Sequence, residues 1–321
     1  TAVLVQDYPA DGLDGSKVFY QQDAAAFARA AKDHGIPAAI CSTLPENIDE
    51  ETRQFLIGEG VAPMQGIHEA LNAIHGSANW LQARERILSA EEVPLLPAWE
   101  WSKQVMVMEH VGKRWLTANG IAVPEGRVVS MEQLGAAASE VGFPVVLKMI
   151  SPLLAHKTEA GAVVLNLKDV DSVSAAAVQM KADVTAYNPK AVADRFLVEV
   201  MSPAPLAELI VNLRGDPQFG AALVLGSGGI LVELVGDAVT LLLPTSPDDI
   251  ARALKKLRVG GLLEGFRGRP KADLQNIGIQ IHRLCIAYLK EHKNIAEIEI
   301  NPLFVYADKV CAVDALLYKA A

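Results

Sequence analysis

The sequence predicts an α/β protein in which a parallel unit is followed by a region that turns antiparallel. Three observations predict it. Over the first 90 residues, short β-rich runs alternate with stretches whose apolar residues recur at helical spacing, the signature of parallel strands joined by crossover helices. After "SPAP" (202–205) the runs shorten and are parted by Gly, Asp and Pro, as in antiparallel hairpins. The 321 residues are 51% hydrophobic, ample for two or three packed cores.

In order, "TAVLVQDY" (1–8) reads as strand, "DAAAFARAAKDHG" (23–35) as a helix closed by Gly35, and "IPAAICS" (36–42) as strand. "DEETRQFLIGEG" (49–60) reads as helix, "VAPMQG" (61–66) as a short strand, and "IHEALNAIHGSANWLQARERI" (67–87) as helix. Only three strands can be counted here. A parallel sheet buries both faces and usually has more, so its remaining strands are expected upstream. The absence of an initiator Met points the same way, to a chain that begins inside a domain.

Residues 91–102, "EEVPLLPAWEWS", pair two prolines with two tryptophans and read as a linker. "VMVMEHVGKRWLTANG" (105–120) reads as one helix stopped by Gly120. Strand at "GRVVS" (126–130), helix at "MEQLGAAASEVG" (131–142), and strands at "PVVLKMI" (144–150) and "AVVLNL" (162–167) follow. Next come a helix at "DSVSAAAVQMKADVTAY" (171–187) and a strand at "RFLVEVM" (195–201). The antiparallel region holds "AELIVNLRG" (207–215), "GAALVLGSGG" (220–229), "ILVELVG" (230–236) and "AVTLLLPT" (238–245). Helices at 246–258 and 270–292 and strands at "IAEIEINPLFVY" (295–306) and "KVCAVDALL" (309–317) complete the chain. There is no internal repeat and no low-complexity tract.

The formal net charge of -9 argues against a surface built to follow nucleic acid or anionic lipid. Three cysteines, Cys41, Cys285 and Cys311, lie far apart, which suggests neither a disulfide framework nor a cysteine metal site and makes the cytosol the natural compartment. No apolar run reaches the roughly 18–20 residues that span a bilayer.

Lys148 lies inside the apolar strand "VVLKMI", where an ammonium must reach solvent, a cleft or an anion, and nucleotide phosphates would satisfy it. His156 stands on the loop before the next strand. A neutral imidazole beside a cation can act as a nucleophile toward phosphorus, with Lys157 offsetting the charge it acquires and Glu159 fixing its tautomer. "FLVEVM" delivers backbone groups at Glu199, Val200 and Met201 that suit the edge of an adenine ring, and Glu208 follows within reach of a ribose or a metal. Gly228 and Gly229, in "LGSGGILVE" (225–233), supply either exposed N–H groups for an anion or a hairpin turn; no dinucleotide-type or Walker-type spacing is present. Period-two alternation puts Glu299 and Asn301 on one face of a strand, with Asp314 on the strand returning beside it, an oxygen set suited to Mg²⁺.

This order resembles the ATP-grasp domain of the NDP-forming acyl-CoA synthetases, the superfamily of ADP-forming acetyl-CoA synthetase and succinyl-CoA synthetase. The likeness covers about residues 100–321 and rests on "GFPVVLKMISPLLAHKTEAGAVVLNL", "RGDPQFGAALVLGSGGILVEL", "EGFRGRPKADL", "EIEINPLFVY" and "VCAVDA". Residues 1–90 look like the latter part of the flavodoxin-like domain that precedes ATP-grasp in fused members. The resemblance implies lobes of roughly 103–195 and 196–321, binding of ATP or ADP with Mg²⁺, and a reaction joining acid, CoA and ATP into acyl-CoA, ADP and phosphate through phosphohistidine. It implies that His156 is the relay histidine, Lys148 the phosphate lysine, "VEVM" the adenine hinge, and Asn301 and Asp314 the Mg²⁺ ligands. Where the family commonly has Asp-Gly-Gly, this chain has Glu159, Ala160 and Gly161. CoA, the carboxylic acid and the family's first phosphohistidine are expected on a module absent from these residues, and a homo- or hetero-oligomer is expected. A regulatory nucleotide-binding module of a synthetase-like protein acetyltransferase is the alternative. A third reading, a carboxylate–amine ligase of general ATP-grasp type, would not need His156.

Overall fold

The computed structural model describes residues 1–9, 15–89, 103–229 and 236–320. It divides into two compact units, Thr1–Glu92 and Val93–Ala321. The expected linker at 91–102 and the strand expected at 230–236, apart from Gly236, lie outside the described residues.

In the first unit the strands β1 (Ala2–Val5), β2 (Ala38–Ser42) and β3 (Ala62–Gln65) pair in parallel in the order β1-β2-β3. The helices α1 (Lys17–Asp33), α2 (Glu50–Gly58) and α3 (Ile67–Ser89) follow β1, β2 and β3. The small faces of Ala24 and Ala28 on α1 pack with Ile40, Ile48, Leu56 and Val61. Asp49 starts α2 by accepting the Thr52 backbone N–H, as an N-cap carboxylate should.

The second unit is built on two antiparallel sheets. The smaller contains β5 (Gly126–Ser130), β6 (Val145–Met149), β7 (Val163–Leu167) and β8 (Arg195–Val200), in the order β5-β8-β6-β7. Helices α5 (Leu134–Val141) and α6 (Val170–Tyr187) close one face, where Val145, Leu147, Met149, Phe196 and Val198 form the core with Ala138, Val173 and Val184. Alternation then puts Val146, Lys148, Leu197 and Glu199 on the opposite face. The larger sheet has the order β11-β10-β9-β12-β14-β4, with β13 beside β12. Its strands are β4 (Gln104–Val107), β9 (Ala207–Asp216), β10 (Gly220–Ser227), β11 (Ala238–Leu242), β12 (Ile295–Val305), β13 (Val310–Ala312) and β14 (Leu316–Ala320). Leu209, Val211, Leu213, Ile298 and Ile300 face a core shared with α7 (Pro247–Lys256) and α8 (Leu274–Glu291). Helix α7 has Ser246 as N-cap, Pro247 at its first position, two aspartates in its first turn and two lysines in its last, each matching the helix dipole.

Four expectations need correction. The helix expected from residue 105 begins at Glu109, as α4 (Glu109–Ala118), because Gln104–Val107 instead pairs with β14 as an edge strand. The uniformly apolar "VMV" carries no periodicity that would separate strand from helix. The returning strand is two pieces, β13 and β14, and Asp314 lies in the break between them. β8 pairs with β5 and β6, so the change of sheet falls after Val200 rather than before Phe196, and β4 belongs to the larger sheet. Finally, α1 begins at Lys17, six residues before the stretch read as helical.

Phe196 is fully buried in the smaller sheet's core. Phe196→Ala is expected to cost about 3–5 kcal/mol, from lost burial and the cavity left behind. Urea denaturation followed by circular dichroism checks this, with Leu165→Ala, at an exposed position of β7, as the near-neutral comparison.

Candidate functional site

Lys148 occupies β6, an inner strand of the smaller sheet, and is 5% exposed. It reaches neither an edge nor solvent. Its Nζ donates to Glu109 Oε1 at 2.6 Å and to the Val313 carbonyl at 2.6 Å, and lies 3.2 Å from Glu199 Oε2. Two carboxylates and a backbone carbonyl surround its ammonium.

Glu109 and Lys113, one turn apart on α4, complete the arrangement. Lys113 Nζ lies 2.6 and 2.7 Å from the two Glu199 oxygens and 2.8 Å from Glu109 Oε1, and it donates to the same Val313 carbonyl at 2.8 Å. Lys157 Nζ lies 3.2 Å from Glu109 Oε2 and 3.0 Å from Asp314 Oδ1. Three ammonium groups therefore meet three carboxylates, Glu109, Glu199 and Asp314, with formal charges that cancel. Burial alone would raise the Glu109 carboxyl pKa, but the ammonium groups of Lys148, Lys113 and Lys157 outweigh it and hold the group well below its ordinary range. Burial would likewise lower the pKa of Lys148, yet Glu109, Asp314 and Glu199 hold it well above the usual lysine value. Lys157 is raised in the same manner, its burial outweighed by Glu109 and Asp314.

The sequence reading missed Glu109 and Lys113. An i,i+4 Glu/Lys pair on an amphipathic helix usually marks a solvated face. The available signal was Lys148 itself, since a lysine on an inner strand requires a carboxylate from another element. Lys113 and Glu199 also border a cleft of about 290 Å³, floored by Val128 and Leu197 and flanked by His110. A larger cleft of about 540 Å³, lined by Asp248, Arg252, Lys255 and Lys271, shares no residue with this network.

At the expected hinge, part of the backbone is already paired. Glu199 turns its carboxylate into the lysine network, the Val200 N–H donates to Glu125 O at 2.9 Å, and the Met201 N–H donates to Pro144 O at 3.0 Å. Both N–H groups expected to meet adenine are thus engaged. Ser202 has the next backbone N–H, and it has no partner among the described residues.

His156 lies on the turn that follows β6. That turn alternates: His156, Thr158 and Glu159 are exposed, whereas Lys157 and Ala160 are buried. Backbone bonds from Ala160 N to His156 O and from Ala162 N to Lys157 O close it, and Gly161 takes φ +64°, where a Cβ would lie 2.8 Å from that of Asp183. Among the described residues the His156 ring makes no hydrogen bond. Glu159 does not hold it, because both side chains point to solvent. Lys157 points inward to Glu109 and Asp314, so adjacency in sequence does not place its ammonium beside the ring.

A second group forms where β9, β10 and β12 meet. The Gly228 N–H donates to the Glu208 carbonyl at 2.7 Å, and the Gly229 N–H donates to Asn301 Oδ1 at 3.1 Å. A Cβ at Gly228 would lie 2.5 Å from the Leu209 carbonyl carbon, and one at Gly229, where φ is +80°, would lie 2.5 Å from Glu208 Oε2. Only glycine fits either position. Leu303 pairs with Ala312 and Glu299 with Leu316, so one register runs through the break and sets Asn301 opposite Asp314. Val313 N donates to Pro302 O at 3.3 Å across it. Glu299 Oε2 accepts from Asn212 Nδ2 at 3.3 Å, while Asn212 Oδ1 is buried without a partner.

Asn301, Glu299 and the Asn212 oxygen on neighbouring strands, with Asp314 in the strand break beside them, are hard oxygen donors, and this chemistry fits Mg²⁺. Among the described residues no group of three or more His, Cys, Asp or Glu side chains could hold a metal by itself.

A family model described as an ATP-grasp domain matches residues 100–318. The beta subunit of ADP-forming acetate–CoA ligase I from Pyrococcus furiosus is 34% identical over 214 residues, covering 65% of this chain and 90% of that one. ADP-forming acetate–CoA ligase I of Archaeoglobus fulgidus is 29% identical over 294 residues, covering 87% of this chain but 42% of its own length. This chain therefore spans less than half of that relative. Ca. Korarchaeum cryptofilum dinucleotide forming acetyl-coenzyme A synthetase 1 has been solved with coenzyme A and Mg-AMPPCP, its phosphohistidine segment pointing towards the nucleotide binding site. It matches with a TM-score of 0.56 at 32% identity, covering 66% of this chain and 92% of that one.

Removing Glu109 leaves three buried ammonium groups short of a partner. Glu109→Ala is expected to cost about 3–5 kcal/mol, measured as a lower urea midpoint at pH 7. The Glu109 pKa is depressed on folding, so its contribution is fully present above the ordinary value of 4.5 and is lost as pH falls below it toward the folded value. Wild-type stability should thus fall more steeply below that pH than Glu109→Gln stability, as thermal melts across a pH series would show.

Proposed function

Since the chain belongs to the ATP-grasp family, and within it to the ADP-forming acyl-CoA ligases, we propose that it is the nucleotide-binding, phosphoryl-relaying part of such an acid–thiol ligase. The observation that carries this reading is His156: exposed, without a hydrogen-bond partner among the described residues, and next in sequence to Lys157, whose ammonium reaches Asp314 opposite Asn301.

In this reading a lone-pair nitrogen of the neutral His156 ring attacks the γ-phosphorus of ATP. An N–P bond forms, the bond from phosphorus to the β,γ-bridging oxygen breaks, and ADP leaves; the steps reverse when ADP is the acceptor. Lys148 and Lys113, exchanging part of their carboxylate contacts for phosphate oxygens, would hold the transferring group and offset its charge. Gly228 and Gly229 present backbone at the glycine turn, Glu208 serves the ribose, and Ser202 N–H is the free donor for the adenine edge. Asn301, Asp314 and Glu299 would hold Mg²⁺, which would supply positive charge to offset that of the phosphates. Covalent relay suits a ligase whose reactants bind at separate places, because nucleotide and acid need not meet. Coenzyme A and the carboxylic acid would then be handled by another module or subunit; the name of the Pyrococcus relative, a beta subunit, supports this. That the relatives described are ligases and synthetases favours the relay over a regulatory module of an acetyltransferase.

The test is labelling with γ-³²P-ATP and Mg²⁺, the partner module being supplied. An acid-labile, base-stable label on this chain, absent from His156→Ala, is the expected result. A label that survives the substitution, or none at all although calorimetry shows ATP bound, would sink the relay.

A further inference from the structure

We propose that Lys157 is a positioning residue whose ammonium stands at Asp314 in place of a divalent cation, tying down the turn that carries His156 until the cation arrives. The inference rests on the reading of Asn301 and Asp314 as cation ligands and deepens it. Of the five residues His156–Ala160, only Lys157 and Ala160 turn inward. Ala160 offers a methyl group to the core, so among the described residues Lys157 supplies the turn's only polar tether through a side chain.

That tether has two ends, Glu109 Oε2 at 3.2 Å and Asp314 Oδ1 at 3.0 Å. The two anchors differ in access. Glu109 is enclosed, its side chain 6% exposed, whereas the Asp314 side chain is 29% exposed and lies in the strand break facing Asn301. A divalent cation enters at the accessible anchor. Mg²⁺ binds carboxylate oxygen at about 2.0–2.1 Å. An ammonium at hydrogen-bond distance from the same carboxylate then faces strong repulsion. One cation displaces the other at Asp314. Lys157 keeps Glu109, loses Asp314, and the turn bearing His156 is held by one ionic contact instead of two. Cation arrival and release of the histidine become one event.

The test uses Mn²⁺ alone, without nucleotide, titrated into the full chain and followed by electron paramagnetic resonance. Lys157→Met should bind Mn²⁺ about tenfold more tightly than wild type, the equivalent of ~1.4 kcal/mol. Lys113→Met removes one charge from the same network without touching Asp314 and should change affinity far less. Equal affinity in wild type and Lys157→Met, or an equal gain in Lys113→Met, overturns the proposal. Asp314→Asn should lose most Mn²⁺ binding; undiminished binding there overturns the cation-ligand reading itself, and this proposal with it. Should either lysine variant fail to fold by circular dichroism, the wild type decides alone. Its His156 ring Hε1 resonance, assigned by its loss in His156→Ala, should narrow as Mg²⁺ is added, and an unchanged line overturns the loosening.

Discussion

Glu109 is the hinge on which the second unit turns. Its helix is built into the larger sheet's core through Leu116, yet its carboxylate meets Lys148 of the smaller sheet, Lys157 of the turn after it and Lys113 of its own helix. One carboxylate, more than 90% buried, thus fixes side chains from three pieces of backbone. A charge so enclosed is tolerable only when its partners are complete, and the loss of one member strands the rest. The Val313 carbonyl, shared by Lys113 and Lys148, ties the β13–β14 break into the same knot.

Local chemistry made much of the fold legible. Alternating apolar runs gave the strands of both sheets, and Gly35 and Gly120 lie just beyond the ends of α1 and α4, where a positive φ is needed. Local signals failed where pairing decides. Gln104–Val107 is a strand because β14 offers it an edge, a fact distant by over 200 residues. β13 and β14 part at Val313–Ala315, a run whose composition alone does not mark a break.

The candidate site divides along the same line. Asn301, Asp314, Gly228 and Gly229 could be singled out because strand period and glycine chemistry are local; in the fold Asn301 accepts from the Gly229 N–H, and the flanking register sets it opposite Asp314. Glu109, Lys113 and Asn212 were missed because their meaning lies in what stands opposite them. Glu199, Val200 and Met201 were read as groups open to a ligand. In the fold their donors and charges already have partners, and sequence carries no record of which contacts a neighbouring strand fills first.

The balance of charges around Glu109 sets a condition on any guest. Three positive and three negative groups cancel, so the cluster itself adds no net charge with which to draw in a bare polyanion. A guest that brings its own counter-ion enters without disturbing that balance; one that does not must break an existing pair to be accommodated. On the proposed reading, electroneutrality would act as a filter, admitting a complexed anion ahead of a naked one of identical shape. Such discrimination belongs to the cluster as a whole, with no single side chain making the choice.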